Sequence, residues 1–372
     1  MRWLLRRRPA PAPPPAPAGP LAVLMGRDEV DVAGRRGRHL VRGRRVLVTG
    51  ACGTIGSALS HRLERLEPAA LCLADRDAVG LARLRHEMAA GAGGGPVVLA
   101  ETDVRDRARV DEVFDDTRPE LVFHAAGQYG LGPVEADPCR GVATNVLGAR
   151  HVLDGAVRTG AHRLVLVSSD RAAEPTSVLG ATMRLGELLL HAGTGGPTCF
   201  AAVRVGDVIA SSGTLLSALG RSIAAGGAVT VAHPQAARHF MTAEEAAGLL
   251  LEAAVLAEEA ETFALDTGRP VPVIELVHRY AEQLRLPEVT IRFSGLGPGE
   301  KLAEKAFADS ERRVRTAHPK IWATRATPPP AGLPPLLDAL AAAARAGDDA
   351  RVRLLLRRLL PEYRPASPVR KP

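Results

Sequence analysis

The chain has 372 residues, 46% of them hydrophobic, which is enough for one large core or two ordinary ones and excludes a small scaffold held by staples. It carries 48 basic against 41 acidic residues for a net charge of +7, but only 3% aromatics. The basic surface therefore lacks the rings on which single-strand nucleic-acid binders stack bases, and no nucleic-acid partner is expected. Cys52, Cys72, Cys139 and Cys199 form no Cys-x-x-Cys, so neither a zinc cage nor a dense disulfide framework is indicated; no metal site is expected, and a reducing cytoplasm is the natural setting.

The basic start Met1–Arg8 leads into proline rather than an apolar signal core, and no apolar run reaches the about 18 residues that a membrane span needs. Trp3, Leu4 and Leu5 beside arginines leave open a peripheral contact with the inner face of a membrane, against an unstructured basic tail. Pro9 to Pro20 is Pro/Ala-rich and cannot build a core, so residues 1–44 read as an extended leader. From Arg45 short apolar runs alternate with amphipathic stretches. The runs are Val46–Val48, Leu71–Leu73, Val97–Leu99, Leu121–Phe123, Leu164–Val167 and Cys199–Val203. Continuous apolar strands alternating with helices predict an α/β fold, a doubly wound parallel sheet covered on both faces, over residues 45–205. A smaller C-terminal substrate domain is expected over 206–327, with helices at Ala243–Ala257 and Val273–Leu284 and a strand at Thr262–Leu265. Pro328, Pro329 and Pro330 mark a break, and a helical tail over 328–372 carries two helices, Leu336–Arg345 and Asp349–Leu360, before a frayed end from Pro365.

Val48-Thr49-Gly50-Ala51-Cys52-Gly53-Thr54-Ile55-Gly56 closes the first strand and opens the first helix of this alternation. Gly50 allows the tight turn, Gly53 lets amides of the Thr54-Ile55 turn approach a pyrophosphate, and Gly56 permits close helix–strand packing, so the Rossmann-type loop predicts dinucleotide binding rather than a merely structural turn. Asp75 ends the second strand about twenty residues on, where a carboxylate takes the adenosine ribose hydroxyls; this favours NAD, while Arg76 keeps NADP open through a 2′-phosphate. Asp103 is either an adenine contact or a strand-end turn residue. Ala125, Ala126 and Gly127 are small enough for a cofactor to lie against the backbone.

These residues, with Thr144-Asn145-Val146-Leu147-Gly148, Ser168-Ser169-Asp170-Arg171-Ala172, Arg238-His239-Phe240-Met241-Thr242 and Gly297-Pro298-Gly299-Glu300-Lys301-Leu302, resemble the extended short-chain dehydrogenase/reductases. More narrowly they resemble the bacterial polysaccharide-biosynthesis (CapD-like) branch, typified by UDP-N-acetylglucosamine 4,6-dehydratases, over about Leu24 to Pro365. The resemblance implies a UDP-activated sugar as partner and a homo-oligomer. It also implies a reaction in which hydride leaves sugar carbon 4, water is eliminated across carbons 5 and 6, and the hydride returns at carbon 6. It implies Asp170 as acid/base, Ser169 as hydrogen-bond donor to the sugar against a strand-end structural serine, Asn145 and Met183 beside the cofactor, with a core methionine the favoured reading of Met183, and Arg204, Asp207, Arg238, Glu300 and Lys301 on the nucleotide sugar.

Several positions depart from that pattern. Only Lys301, Lys305, Lys320 and Lys371 are lysines, so the Asp-Lys pair of the branch is Asp170-Arg171 here, and the lysine of its helix is Met183. A guanidinium stays protonated and cannot be a base, so Arg171 is expected to stabilise charge. Tyr129, the only tyrosine before Tyr280, is expected either to act as an auxiliary acid/base with a pKa lowered by Arg171 or simply to pack on the cofactor loop. Asp207 replaces an asparagine and Gly297 an arginine. The expected function is an NAD(P)-dependent nucleotide-sugar dehydratase or epimerase. The alternatives are a relative without turnover serving as scaffold or regulator, and a specialised-metabolism dehydrogenase with another substrate.

Overall fold

Three consecutive apolar residues, Val46, Leu47 and Val48, are all at most 2% exposed, because the strand they build is covered on both faces. In the computed structural model, which describes residues 21–32, 35–89, 95–193, 196–209, 220, 228–285, 289–325, 330 and 332–365, this strand is β1 (Arg45–Thr49). It is followed by β2 (Ala70–Asp75), β3 (Val97–Glu101), β4 (Leu121–His124), β5 (Arg163–Ser169), β6 (Cys199–Val205), β7 (Ala260–Leu265), β8 (Arg313–Arg315) and β9 (Ile321–Arg325). They form one nine-stranded sheet in the order β8-β9-β7-β6-β5-β4-β1-β2-β3. β1 pairs in parallel with both β2 and β4, so the chain reverses direction across the sheet at β1.

Side-chain alternation along β1 sorts the core into two layers. Val46 and Val48 pack with Leu59 and Leu63 of the helix Thr54–Glu64 and with Leu249 and Leu250 of the helix Ala243–Leu256. Leu47 faces the other layer, with Phe114 of the helix Arg107–Thr117, Val152 of Ala149–Thr159 and Leu185 of Val178–Ala192. The loops after β1, β2, β3, β4, β5 and β6 all leave the carboxyl edge of the sheet, which is where open α/β sheets bind ligands.

The structure redraws the organisation read from the sequence at three points. The strand expected in the substrate domain is β7, and it extends the main sheet in parallel beside β6; β9 then adds antiparallel to β7, and β8 antiparallel to β9. Part of the leader is core. Leu24 and Met25 of the helix Leu21–Met25 are at most 1% exposed and join Phe240, Leu276 and Tyr280 in the apolar centre of the smaller lobe. The tail helix begins at Leu333 rather than Leu336, because Pro334 and Pro335 sit in its first turn, where a missing N–H is harmless. Met1–Pro20 with its membrane-contact expectation, Pro328, Pro329 and Ala366–Pro372 lie outside the described residues. Among the described residues no helix is long and apolar enough to cross a membrane, and no cluster of His, Cys, Asp and Glu is arranged to hold a metal.

Candidate active site

A cleft of about 1040 Å³ runs along the carboxyl edge of the sheet, at the upper end of the range for small-molecule sites. At one end lies the loop after β1. Gly50 has φ +71°, and a Cβ there would stand 2.4 Å from the Ala126 amide nitrogen; a Cβ on Gly56 would stand 2.0 Å from the Gly50 carbonyl oxygen. Among the described residues no side chain caps the helix that starts at Thr54, and its first residues line the cleft, so its free amides and the positive end of its dipole are offered there. Thr54 and Ile55 line the cleft there. The Asp75 carboxylate accepts from the Cys52 amide at 2.9 Å and the Asp77 amide at 3.1 Å, fixing the carboxylate beside the loop, with Arg76 also on the cleft wall. Asp103 lines the cleft too and is paired with Arg105, whose hydrogen bonds hold its carboxyl below the usual range.

Ala125, Ala126 and Gly127 form the wall after β4. Tyr129 lies with its ring against the α-carbon of Gly127, and its hydroxyl donates to the Ala125 carbonyl at 3.3 Å. Tyr129 is 38% exposed and lines the cleft, but its hydroxyl is spent on that backbone carbonyl, so the geometry favours the packing role. Asn145 is buried off the cleft: its carbonyl accepts from the Gln128 amide at 2.7 Å, and its amide donates to the Gln128 carbonyl at 3.0 Å and to Thr182 at 3.1 Å. It therefore fastens the loop after β4. Its neighbour Thr144, on a π-helical turn, does line the cleft, and its buried hydroxyl has no partner among the described residues. The motif around Thr144 was visible in the sequence, but nothing there said which of two adjacent side chains turns outward. Met183 is 5% exposed in the apolar core and does not line the cleft. The uncapped helix start, the glycine contacts no Cβ would permit, the carboxylate of Asp75 and the orphan hydroxyl of Thr144 fit a dinucleotide.

At the other end Ser169 and Arg171 meet Asp207, Arg238 and Glu300. Ser169 donates to Asp170 at 3.1 Å and accepts from the Arg171 amide at 3.3 Å. Arg171 pairs with Glu304 at 2.8 Å and Asp207 at 3.2 Å. Burial alone would lower its pKa, yet the surrounding carboxylates raise it, so it stays a fixed cation. Asp170 itself is 4% exposed and opens on a second cavity, of about 480 Å³, behind the cleft. Burial, with Asp207 and Glu304 adding to it, pushes its carboxyl up to about 7 against the opposing pull of Arg171.

Two of the expected nucleotide-sugar contacts are placed elsewhere. Arg204 is 1% exposed and lies between Glu187 and Glu311 at 2.7 and 2.6 Å, with Glu187 also bound by Arg184 at 2.9 Å; its fork is filled by carboxylates and it has no face on the cleft. Lys301 donates to the Glu174 carbonyl at 2.8 Å and stands 2.6 Å from Glu304, bracing that carboxylate from behind instead of lining the cleft. Nothing in the sequence signalled the apolar end of the cleft, formed by Ile209, Val231, Phe240 and Leu276 from four separate segments.

Sheet order, glycine loop and cleft together define a Rossmann fold of the extended short-chain dehydrogenase type. The chain belongs to the polysaccharide biosynthesis protein family, whose pattern matches residues 46–326. It is 32% identical over 307 residues to the capsular polysaccharide biosynthesis protein CapD of Staphylococcus aureus, covering 80% of this chain and 51% of CapD, so it spans about half the length of that relative. Among solved structures, Pen from Bacillus thuringiensis superposes with a TM-score of 0.70 at 25% identity, covering 76% of this chain and 89% of Pen. UDP-glucose 4-epimerase of Thermus thermophilus, in complex with NAD, shares the fold with a TM-score of 0.62 at 21% identity, covering 70% of this chain and 89% of that one.

Proposed function

We propose that the protein is an NAD-dependent enzyme acting on a UDP-activated sugar, of the 4,6-dehydratase or 4-epimerase kind. The observation that carries this reading is the continuity of one cleft from the uncapped helix start at Gly53, with Asp75 beside it, to the cations Arg171 and Arg238. Gly50, Gly53, Gly56, Asp75 and Thr144 would hold the dinucleotide, whose chemistry is reversible hydride transfer. Asp75 beside the loop favours NAD over NADP. Arg238 and Arg171 suit a diphosphate, and Glu300 suits sugar or ribose hydroxyls.

For proton transfer the chain offers Ser169 and Asp170 in series. A sugar hydroxyl in the cleft gives its proton to the Ser169 oxygen as Ser169 passes its own to Asp170, the group with a pKa near neutrality. Arg171 remains charged throughout and stabilises the resulting anion. A specific observation also favours the reading without turnover: Asp170 faces the second cavity rather than the cleft. Incubating the purified protein with NAD and UDP-N-acetylglucosamine, and following the sugar nucleotide by mass spectrometry and NMR, separates the two. Loss of one water or inversion at carbon 4 supports the enzyme. Unchanged sugar nucleotide with NAD bound leaves the scaffold reading. Failure to bind either nucleotide contradicts both.

A further inference from the structure

Five charged side chains stand in a row of alternating sign where the cleft meets the second cavity: Glu304, Arg171, Asp207, Arg238 and Glu300. Successive partners are 2.8, 3.2, 3.4 and 2.9 Å apart. The central carboxylate is the most exposed, with 38% of the Asp207 side chain accessible, while the arginines on either side are 13% and 7% accessible. Each arginine has a second carboxylate on its far side, so neither would be left unpaired if Asp207 let go. The Asp207 backbone is fixed independently, by pairing with the strand at Phe240 and by its amide donating to the His239 carbonyl at 3.0 Å.

We infer that Asp207 is a resident anion: it occupies the place between Arg171 and Arg238 that a phosphate group of a ligand takes, and so sets how tightly the cleft holds phosphate-bearing ligands. A phosphate reaches both guanidinium groups only by displacing this carboxylate or by accepting its repulsion. Asp207 thereby lowers the affinity for nucleotide diphosphates and eases their release. The choice of UDP as ligand rests on the nucleotide-sugar reading; the role of Asp207 does not, because inorganic pyrophosphate tests it alone.

The test is calorimetric titration of the full chain and its Asp207→Asn variant with inorganic pyrophosphate, UDP and uridine at low salt. Removing one charge about 4 Å from the ligand should tighten pyrophosphate and UDP by about tenfold and leave uridine unchanged. Asp207→Glu, which keeps the charge, should stay within about threefold of the parent. A general structural effect would move uridine as well. Pyrophosphate affinity unchanged or weakened in Asp207→Asn overturns the inference, as does an equal shift for uridine and UDP. If pyrophosphate tightens while UDP and uridine bind neither protein, the inference stands and the uridine-nucleotide reading fails. Should Asp207→Asn not fold, Asp207→Ser carries the same expectation.

Discussion

At Gly56 a single added methyl would stand 2.0 Å from the Gly50 carbonyl oxygen, a backbone atom that cannot yield without moving the loop. Gly56→Ala should therefore weaken NADH binding by at least about tenfold and destabilise the fold by about 1 to 3 kcal/mol, read by fluorescence titration and by chemical denaturation. Gly53→Ala, whose Cβ stands 3.2 Å from that same oxygen, should cost less. Asp170 gives a pH signature of definite sign. Its carboxyl is raised in the folded state from 3.8 to about 7, so the folded protein binds this proton more tightly than the unfolded chain does. The stability it contributes is present below the unfolded value and is lost as pH rises through about 7. Asp170→Asn should remove that slope and be more stable than the parent above about pH 7, measured by urea denaturation across pH. At this scale the glycine loop and Asp75 were legible because their geometry is local: strand, turn and helix follow within a few residues. Arg204 was not. Its partners Glu187 and Glu311 lie on distant segments, and an arginine neutralised in the core reads in sequence like one waiting for a phosphate.

Two elements carry more of the architecture than their composition suggests. The helix Leu21–Met25 is anchored by Arg27, which pairs with Glu245 at 2.6 Å and donates to the Phe240 carbonyl at 2.7 Å, while Glu245 forms a capping box with Thr242. Arg27→Ala should destabilise by about 2 kcal/mol, because it leaves a buried carboxylate without its cation, and equilibrium denaturation would show it. The helix Val178–Ala192 is buried almost all round and carries Glu187 beneath Arg204. Burial alone would raise the Glu187 carboxyl, but Arg204 and Arg184 more than offset it and hold it at about 2. Glu187→Gln should cost about 3 kcal/mol by the same measurement, with two arginines left to one fewer carboxylate. The first six parallel strands were legible from their continuous apolar runs. The contribution of Leu21–Met25 to the smaller lobe was hidden, since a five-residue helix beside a proline-rich stretch has too little periodicity to signal burial. The strand pairing of β7 with β6 was equally invisible, because it joins segments separated by residues 206–259, which carry part of the smaller lobe.

Across the whole molecule the cleft lies between the sheet edge and the smaller lobe, so a ligand that spans it also ties the two together. NAD at one hundred times its Kd should accordingly add about 2.7 kcal/mol to the unfolding free energy, seen as a rise in the thermal midpoint, and at the same NAD concentration Gly56→Ala should gain no more than about 1.4 kcal/mol. If one cleft takes a dinucleotide at the helix start and a nucleotide diphosphate at the arginines, a crystal structure of the full chain with NAD and UDP will show both at once. The NAD pyrophosphate should then lie on the amides of Gly53 to Ile55 with the adenosine ribose on Asp75, and the UDP diphosphate within hydrogen-bonding distance of Arg238. Either nucleotide bound outside the cleft, or a diphosphate in the cleft that leaves both Arg171 and Arg238 on Asp207 without contacting them, would refute that arrangement.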